Sequence, residues 1–165
     1  MRFNMRFFQP TLKYLGWLAK YAGERPVVEL GCGDGYFTYA MRWYGIKALG
    51  IDPYKDPEYL DFSSFLQQRA SECPIVKNTP ALLIAARPDH SGWVTNVPYY
   101  MNSASELLYI GKRHNVSSDL DGITYEKIET PEVDDHITLS VLKQDGAPPN
   151  PESSGLAGML AMVGL

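Results

Sequence analysis

The stretch that most limits the fold is residues 27–37, VVELGCGDGYF. An apolar run carrying one glutamate ends in three glycines at alternate positions, and YFTYAMRWYG follows. The first part reads as a short buried strand, the second as a helix closing at Gly45. A strand that turns through glycines into a helix is the opening of an α/β unit. Bare backbone at Gly31, Gly33 and Gly35 tolerates unusual φ and lets N–H groups approach a ligand at the helix N-terminus. Such a crevice lies at the carboxyl ends of parallel strands.

The rest of the chain supports that opening. TLKYLGWLAKYAG repeats apolar residues at helical spacing, with Gly23 able to cap it and Pro26 to stop it. IKALGID is a second strand ending at Asp52, and ALLIAA is the most apolar strand. PEYLDFSSFLQQRASE reads as helical, and GWVTNVPYYM as a short helix broken near Pro98. ELLYIGK is another strand, and TYEKIE and HITLSVLK form a late pair too close-set for a helical crossover. At least one of that pair is therefore antiparallel. With 165 residues, 45% of them hydrophobic, the chain can bury one domain's core. The expectation is an α/β domain over 1–145, with a doubly wound, mostly parallel sheet. Residues 146–165 follow as a linker, GAPPNPESSG, and an apolar tail, LAGMLAMVGL. The tail reads either as loose chain or as a segment for self-association or partner docking.

The glycine spacing is G-x-G-x-G; three residues after Gly33 stands Tyr36, not the glycine of the dinucleotide fingerprint. An acid just before the glycines is a poor neighbour for a phosphate. Glu29 suits a ligand with positive charge or donor hydroxyls. Asp52 stands where doubly wound folds place the carboxylate that holds ribose hydroxyls. The combined demand is a nucleoside with a cationic, non-phosphate attachment, the form of S-adenosylmethionine.

VVELGCGDG resembles motif I of the class I S-adenosylmethionine-dependent methyltransferases, and ALGIDP resembles their motif II. The resemblance spans roughly residues 10–145 and is sharp over 27–53. It implies a Rossmann-like, seven-stranded sheet whose seventh strand is antiparallel and inserted beside the fifth. It implies that Gly31, Gly33 and Gly35 line the methionine part, that Glu29 helps to order it and that Asp52 holds the ribose. Two departures stand out. The family's third strand ends in an acid that contacts adenine. Here 53–79 reads mostly as helix, with LDF or PIVKN as stand-ins and Asp61 as the contact. After ALLIAA the chain has RPDH, not the Asn/Asp-Pro-Pro-aromatic motif of enzymes that methylate exocyclic base amines.

Methyl transfer asks mainly for positioning, and for a base only where the acceptor must lose a proton. His90 is the candidate base, since imidazole titrates near neutrality. Asp89 orients it or binds a cationic substrate, and Arg87 binds a substrate carboxylate. RPDHSG reads equally as a loop with Asp89 or Ser91 as helix cap. His114 and His136 read as surface residues; Tyr36, Tyr99 and Tyr100 can wall a site. Cys32 reads as a small residue fitting the turn. Two cysteines make neither a disulfide framework nor a metal pattern.

The formal net charge of −4 does not suggest a nucleic-acid partner. No apolar run approaches the about 20 residues of a membrane span, and the N-terminus lacks a signal-peptide core. The expected setting is cytoplasmic. The resulting expectation is a methyltransferase acting on a small-molecule or protein acceptor. The other reading left open is a catalytically inactive module of that family, acting through cofactor or protein binding.

Overall fold

The computed structural model describes residues 7–54, 57–89 and 92–149. One sheet holds β1 (Val27–Leu30), β2 (Ala48–Ile51), β3 (Phe65–Leu66), β4 (Leu82–Ala86), β5 (Glu106–Lys112), β6 (Glu126–Ile128) and β7 (His136–Leu142). Their order is β3-β2-β1-β4-β5-β7-β6. β1 to β5 run parallel. β7 is antiparallel to β5 on one side and β6 on the other. The architecture is the mostly parallel, seven-stranded α/β sheet expected from the sequence, with the last strand inserted beside the fifth.

The helices are α1 (Leu12–Ala22), α2 (Tyr36–Tyr44), α3 (Pro74–Asn78), α4 (Val97–Tyr100) and α5 (Val116–Asp119). Each face of the sheet has its own core. Tyr14, Leu15 and Leu18 of α1 and Phe37 and Met41 of α2 pack with Leu82, Ile84, Leu108 and Ile110. On the other face Val76, Val97 and Val116 pack with Leu83, Ala85, Leu107 and Tyr109. Alternate residues of β4 and β5 thus serve opposite cores, which is why ALLIAA is continuously apolar.

α1 starts where the Thr11 side chain accepts a hydrogen bond from the Tyr14 N–H at 3.1 Å. It ends at Gly23, whose φ is 59°. Side-chain bonds then anchor it across the sheet. Tyr14 and Thr138 share a hydrogen bond of 2.8 Å, and Arg25 pairs with Glu106 at 2.8 Å. Glu106 also accepts from Tyr21 and from Ser140.

Three sequence expectations are corrected. Residues 57–72 are not a helix: turns lead into the two-residue β3, and a 3₁₀ turn follows at Ala70–Glu72. The cause is local. The Asp61 carboxylate accepts from the Ser63 N–H at 2.9 Å and from the Ser63 hydroxyl at 2.5 Å. Asp61 also takes the Ser64 N–H on its own carbonyl. These bonds compete with the helical ladder and favour a turn. Neither LDF nor PIVKN replaces the third strand: LDF lies in these turns and PIVKN is α3. Pro98 does not break a helix either. A 3₁₀ turn at Trp93–Asn96 runs into α4, and Pro98 lies in the first turn of α4, where its missing N–H costs nothing.

Candidate functional site

The strand order reverses direction at β1, whose neighbours are β2 and β4. The crevice outside the carboxyl ends of such strands is where open α/β sheets hold ligands. The glycine turn follows β1 and the Arg87 segment follows β4, so both lie at this point.

Gly31, Gly33 and Gly35 have φ of 65°, 58° and 83°. Side chains with a Cβ rarely adopt such angles. The turn is tied to β2 through Asp52. Its Oδ2 accepts from the Gly33 N–H at 3.1 Å and its Oδ1 from the Tyr54 N–H at 2.9 Å. A carboxylate offers about four acceptor positions. Two thus remain for other donors, such as a pair of hydroxyls.

Glu29 is 4% exposed and accepts from the Thr38 hydroxyl of α2 at 2.7 Å. Burial pushes its carboxyl up to about 8, with Asp34 and Asp52 adding to the effect. Three acids thus stand round the turn, and a cationic ligand there would favour the charged form of Glu29. Burial, with Glu29 and Asp52 nearby, pushes the Cys32 thiol far up as well. It is a buried thiol that fills space, as its size suggests, with no nucleophilic character.

The room above the turn is taken by the chain's own side chains. A Cβ placed at Gly33 would lie 2.1 Å from the Phe7 ring, and one at Gly31 would lie 3.0 Å from the Trp93 ring. Leu60 stands in the same way over Gly35, at 2.6 Å. Phe7 and Trp93 are site residues that sequence reasoning missed. Their only signal was aromatic character: in FF just before a helix, and in GWV shortly after β4.

Beyond β4, Arg87 has a φ of 46° and donates its N–H to the Ile110 carbonyl at 2.6 Å. Left-handed backbone at a non-glycine residue stores strain of the kind found at binding sites. The Asp89 carboxylate accepts from the Trp93 indole at 3.1 Å. That bond links the β4 segment to the glycine turn. His90 lies outside the described residues. Asp89 also helps to line a cavity of about 50 Å³ with Gly92, Val94, Ser118 and Asp119. That is room for a water or two. In it Asp119 is buried and accepts from the Tyr109 hydroxyl.

Asp61 is not at the carboxyl end of β3. It precedes the strand, and Gln67 and Gln68 follow it. Tyr36 packs on Tyr59 with ring centroids 5.4 Å apart. With Pro10, Leu12, Tyr39 and Trp43 it lines a separate concavity of about 310 Å³ on the outer side of α1 and α2. Tyr99 and Tyr100 pack against the opposite core. His114 is exposed, as expected. His136 is not: its side chain is only 7% exposed. The apolar Phe8 ring lies 5.3 Å from the imidazole, a distant contact that the sequence pattern does not reveal. Among the described residues, no three His, Cys, Asp or Glu side chains come together to hold a metal. No helix among them is long and apolar enough to cross a membrane.

No family model matches the sequence. No curated protein matches it either. Solved structures match by shape. A variant of MtNAS in complex with S-adenosylmethionine aligns with a TM-score of 0.55 at 11% identity, over 80% of this chain and 60% of that one. A TehB-like SAM-dependent methyltransferase from Corynebacterium glutamicum aligns at 0.51 and 12% identity, over 82% and 90% of the two chains. The Burkholderia thailandensis 1,6-didemethyltoxoflavin-N1-methyltransferase, with 1,6-didemethyltoxoflavin and S-adenosylhomocysteine bound, aligns at 0.53 and 12%, over 80% and 77%. At these identities the matches show the fold. The chain has the Rossmann-like fold of the class I S-adenosylmethionine-dependent methyltransferases.

Proposed function

We propose that this protein binds S-adenosylmethionine across the crevice from Glu29 to Asp52 and directs its methyl group to a small-molecule or protein acceptor. The observation that carries this reading is the glycine turn at the reversal point of the sheet, ringed by Glu29, Asp34 and Asp52. In it the backbone at Gly31, Gly33 and Gly35 receives the amino-acid tail. Asp52 receives the ribose hydroxyls on its remaining lone pairs, and a cationic ligand at the turn draws the proton off Glu29. Gln67 and Gln68, at the carboxyl end of β3, take the adenine end in place of the absent acid. When bound, the cofactor supplies an electrophilic methyl group on a sulfonium. Arg87 and Asp89 stand on the acceptor side, Arg87 for an anionic group and Asp89 for a cationic one. The donor set fits the group, provided that the Phe7 ring leaves Gly33.

That proviso favours a second reading. With Phe7 and Trp93 packed on the turn, the fold works equally as a binding module whose crevice is closed by its own chain. Calorimetric titration with S-adenosylmethionine and S-adenosylhomocysteine, beside Asp52→Ala, separates the two. Binding that weakens at least ten-fold in the variant supports the first reading. Neither heat nor a thermal shift from either ligand supports the second.

A further inference from the structure

The outer faces of α1 and α2 leave a groove between them. Leu15 and Ala40 form its floor, and Leu12, Tyr36, Tyr39 and Trp43 its walls. It holds about 310 Å³, and no charged residue lines it. Leu12, Tyr39 and Trp43 are 65%, 47% and 68% exposed. Single exposed apolar residues are ordinary, but three large ones along one concavity mark an interaction site. The walls are held in place from behind. The Tyr59 ring packs on Tyr36 and Tyr39, with centroids 5.4 Å and 6.0 Å away.

The sequence contains a segment suited to this groove. Residues 156–165, LAGMLAMVGL, carry no charged or hydrogen-bonding side chain, and they lie beyond the last described residue, 149. Leu156, Met159, Leu160 and Val163 fall at i, i+3, i+4 and i+7, the spacing by which an apolar helix anchors in a groove. Ten residues in a helix run about 15 Å, close to the about 14 Å of the nine-residue α2. Methionine adapts its shape to an irregular aromatic wall. Other surfaces suit the segment less. The cavity at Asp89 and Asp119 is about 50 Å³ and acidic. The outer strand β6 exposes Glu126 and Lys127, charges that discourage an apolar strand from adding there.

The place where the chain leaves the fold bears on whose groove is filled. The Lys143 ammonium donates to the Tyr99 carbonyl at 2.6 Å, and the Gln144 N–H to the Pro98 carbonyl at 2.8 Å. Both acceptors are on α4, which packs on the face of the sheet opposite to α1 and α2. Pro148, Pro149 and Pro151 follow. A proline-rich stretch is a semi-rigid spacer, about 31 Å long for the ten residues 146–155. Such a spacer leads away from the chain's own groove and towards a neighbour's. We infer that the α1–α2 groove receives residues 156–165 of a second copy of this chain, the two copies exchanging tails as a symmetric pair. Each copy supplies one tail and one groove, so the contact is made twice and the pair closes on itself. Trp43 and Tyr39 are the aromatic anchors, and Met159 and Leu160 are the side chains they hold. The pairing does not depend on the cofactor reading.

Sedimentation equilibrium of the full chain tests this. The native chain should show twice the mass of one copy at micromolar concentration. Trp43→Ser spoils the groove and Leu160→Asp the tail. Each variant alone should associate at least ten-fold more weakly, while Leu160→Met should pair as the native chain does. Circular dichroism checks that the variants fold, and Tyr39→Ser replaces Trp43→Ser if that one does not. The decisive arm is a mixture. The Trp43→Ser chain still offers a sound tail and the Leu160→Asp chain a sound groove, so together they should form mixed pairs that neither forms alone. A native chain that stays single overturns the inference, including one whose Met159 methyl meets its own Trp43 ring in nuclear Overhauser spectra. Variants that pair as tightly as the native chain, or a mixture that behaves as the sum of its components, overturn it as well.

Discussion

At the scale of single residues, Glu29 carries the sharpest consequence. Its carboxyl rises from an ordinary 4.5 to about 8 in the folded chain, through burial first and then the neighbouring acids. Between those values the folded state keeps a proton that the unfolded state has lost. Stability therefore falls as pH rises from about 4.5 to about 8. Glu29→Gln keeps an oxygen for the Thr38 hydroxyl and removes the titration. Urea unfolding near pH 5 and above pH 8 should show the native chain losing on the order of 2 kcal/mol more than the variant. Equal losses would sink the assignment. The position of Glu29 before the glycines was legible in the sequence. Its desolvation was not, because that depends on α2 closing over it through Thr38.

Among elements, the strap before α1 decides access. Phe7 rests on Gly33, while Phe8 is buried between α1, α2 and His136. A ligand that needs the Gly33 backbone must displace the Phe7 ring, so apparent affinity is reduced by the fraction of time the strap is open. Phe7→Ala should tighten S-adenosylhomocysteine binding by about five-fold, read by calorimetry. Weaker binding would mean that Phe7 instead covers the bound ligand. Phe8 is unsuitable for this test, since its ring is core. The elements α1, α2, β4 and β5 could be read from apolar periodicity. β3 could not: its two residues are too short for a pattern, and a side-chain turn at Asp61 outcompeted the expected helix.

For the whole molecule, β7 has the largest role. It closes the edge of β5, covering Leu108 and Ile110, and brings Thr138 and Ser140 to α1 and its Glu106 anchor. A chain of residues 1–145 should unfold in one cooperative transition in urea. A chain ending at residue 125 should not fold cooperatively, since both cores lose a wall. A sharp transition for the shorter chain would show that β6 and β7 are accessory. The boundary at 145 is a proposal from composition; residues 150–165, with the apolar tail, lie outside the described residues.

The sequence by itself determined the local events: which of the longer runs are strands, where the glycines permit a turn, and that an acid stands at each end of the crevice. These depend on periodicity, backbone freedom and charge over a few neighbouring residues. Only the tertiary structure decided what meets at the carboxyl end of the sheet. Phe7 comes to Gly33 across 26 residues of chain, and Phe8 comes to His136 across 128. Contacts so distant leave no spacing to read. They turned a histidine that looks like surface into a buried one, and an apparently open crevice into one that its own chain covers.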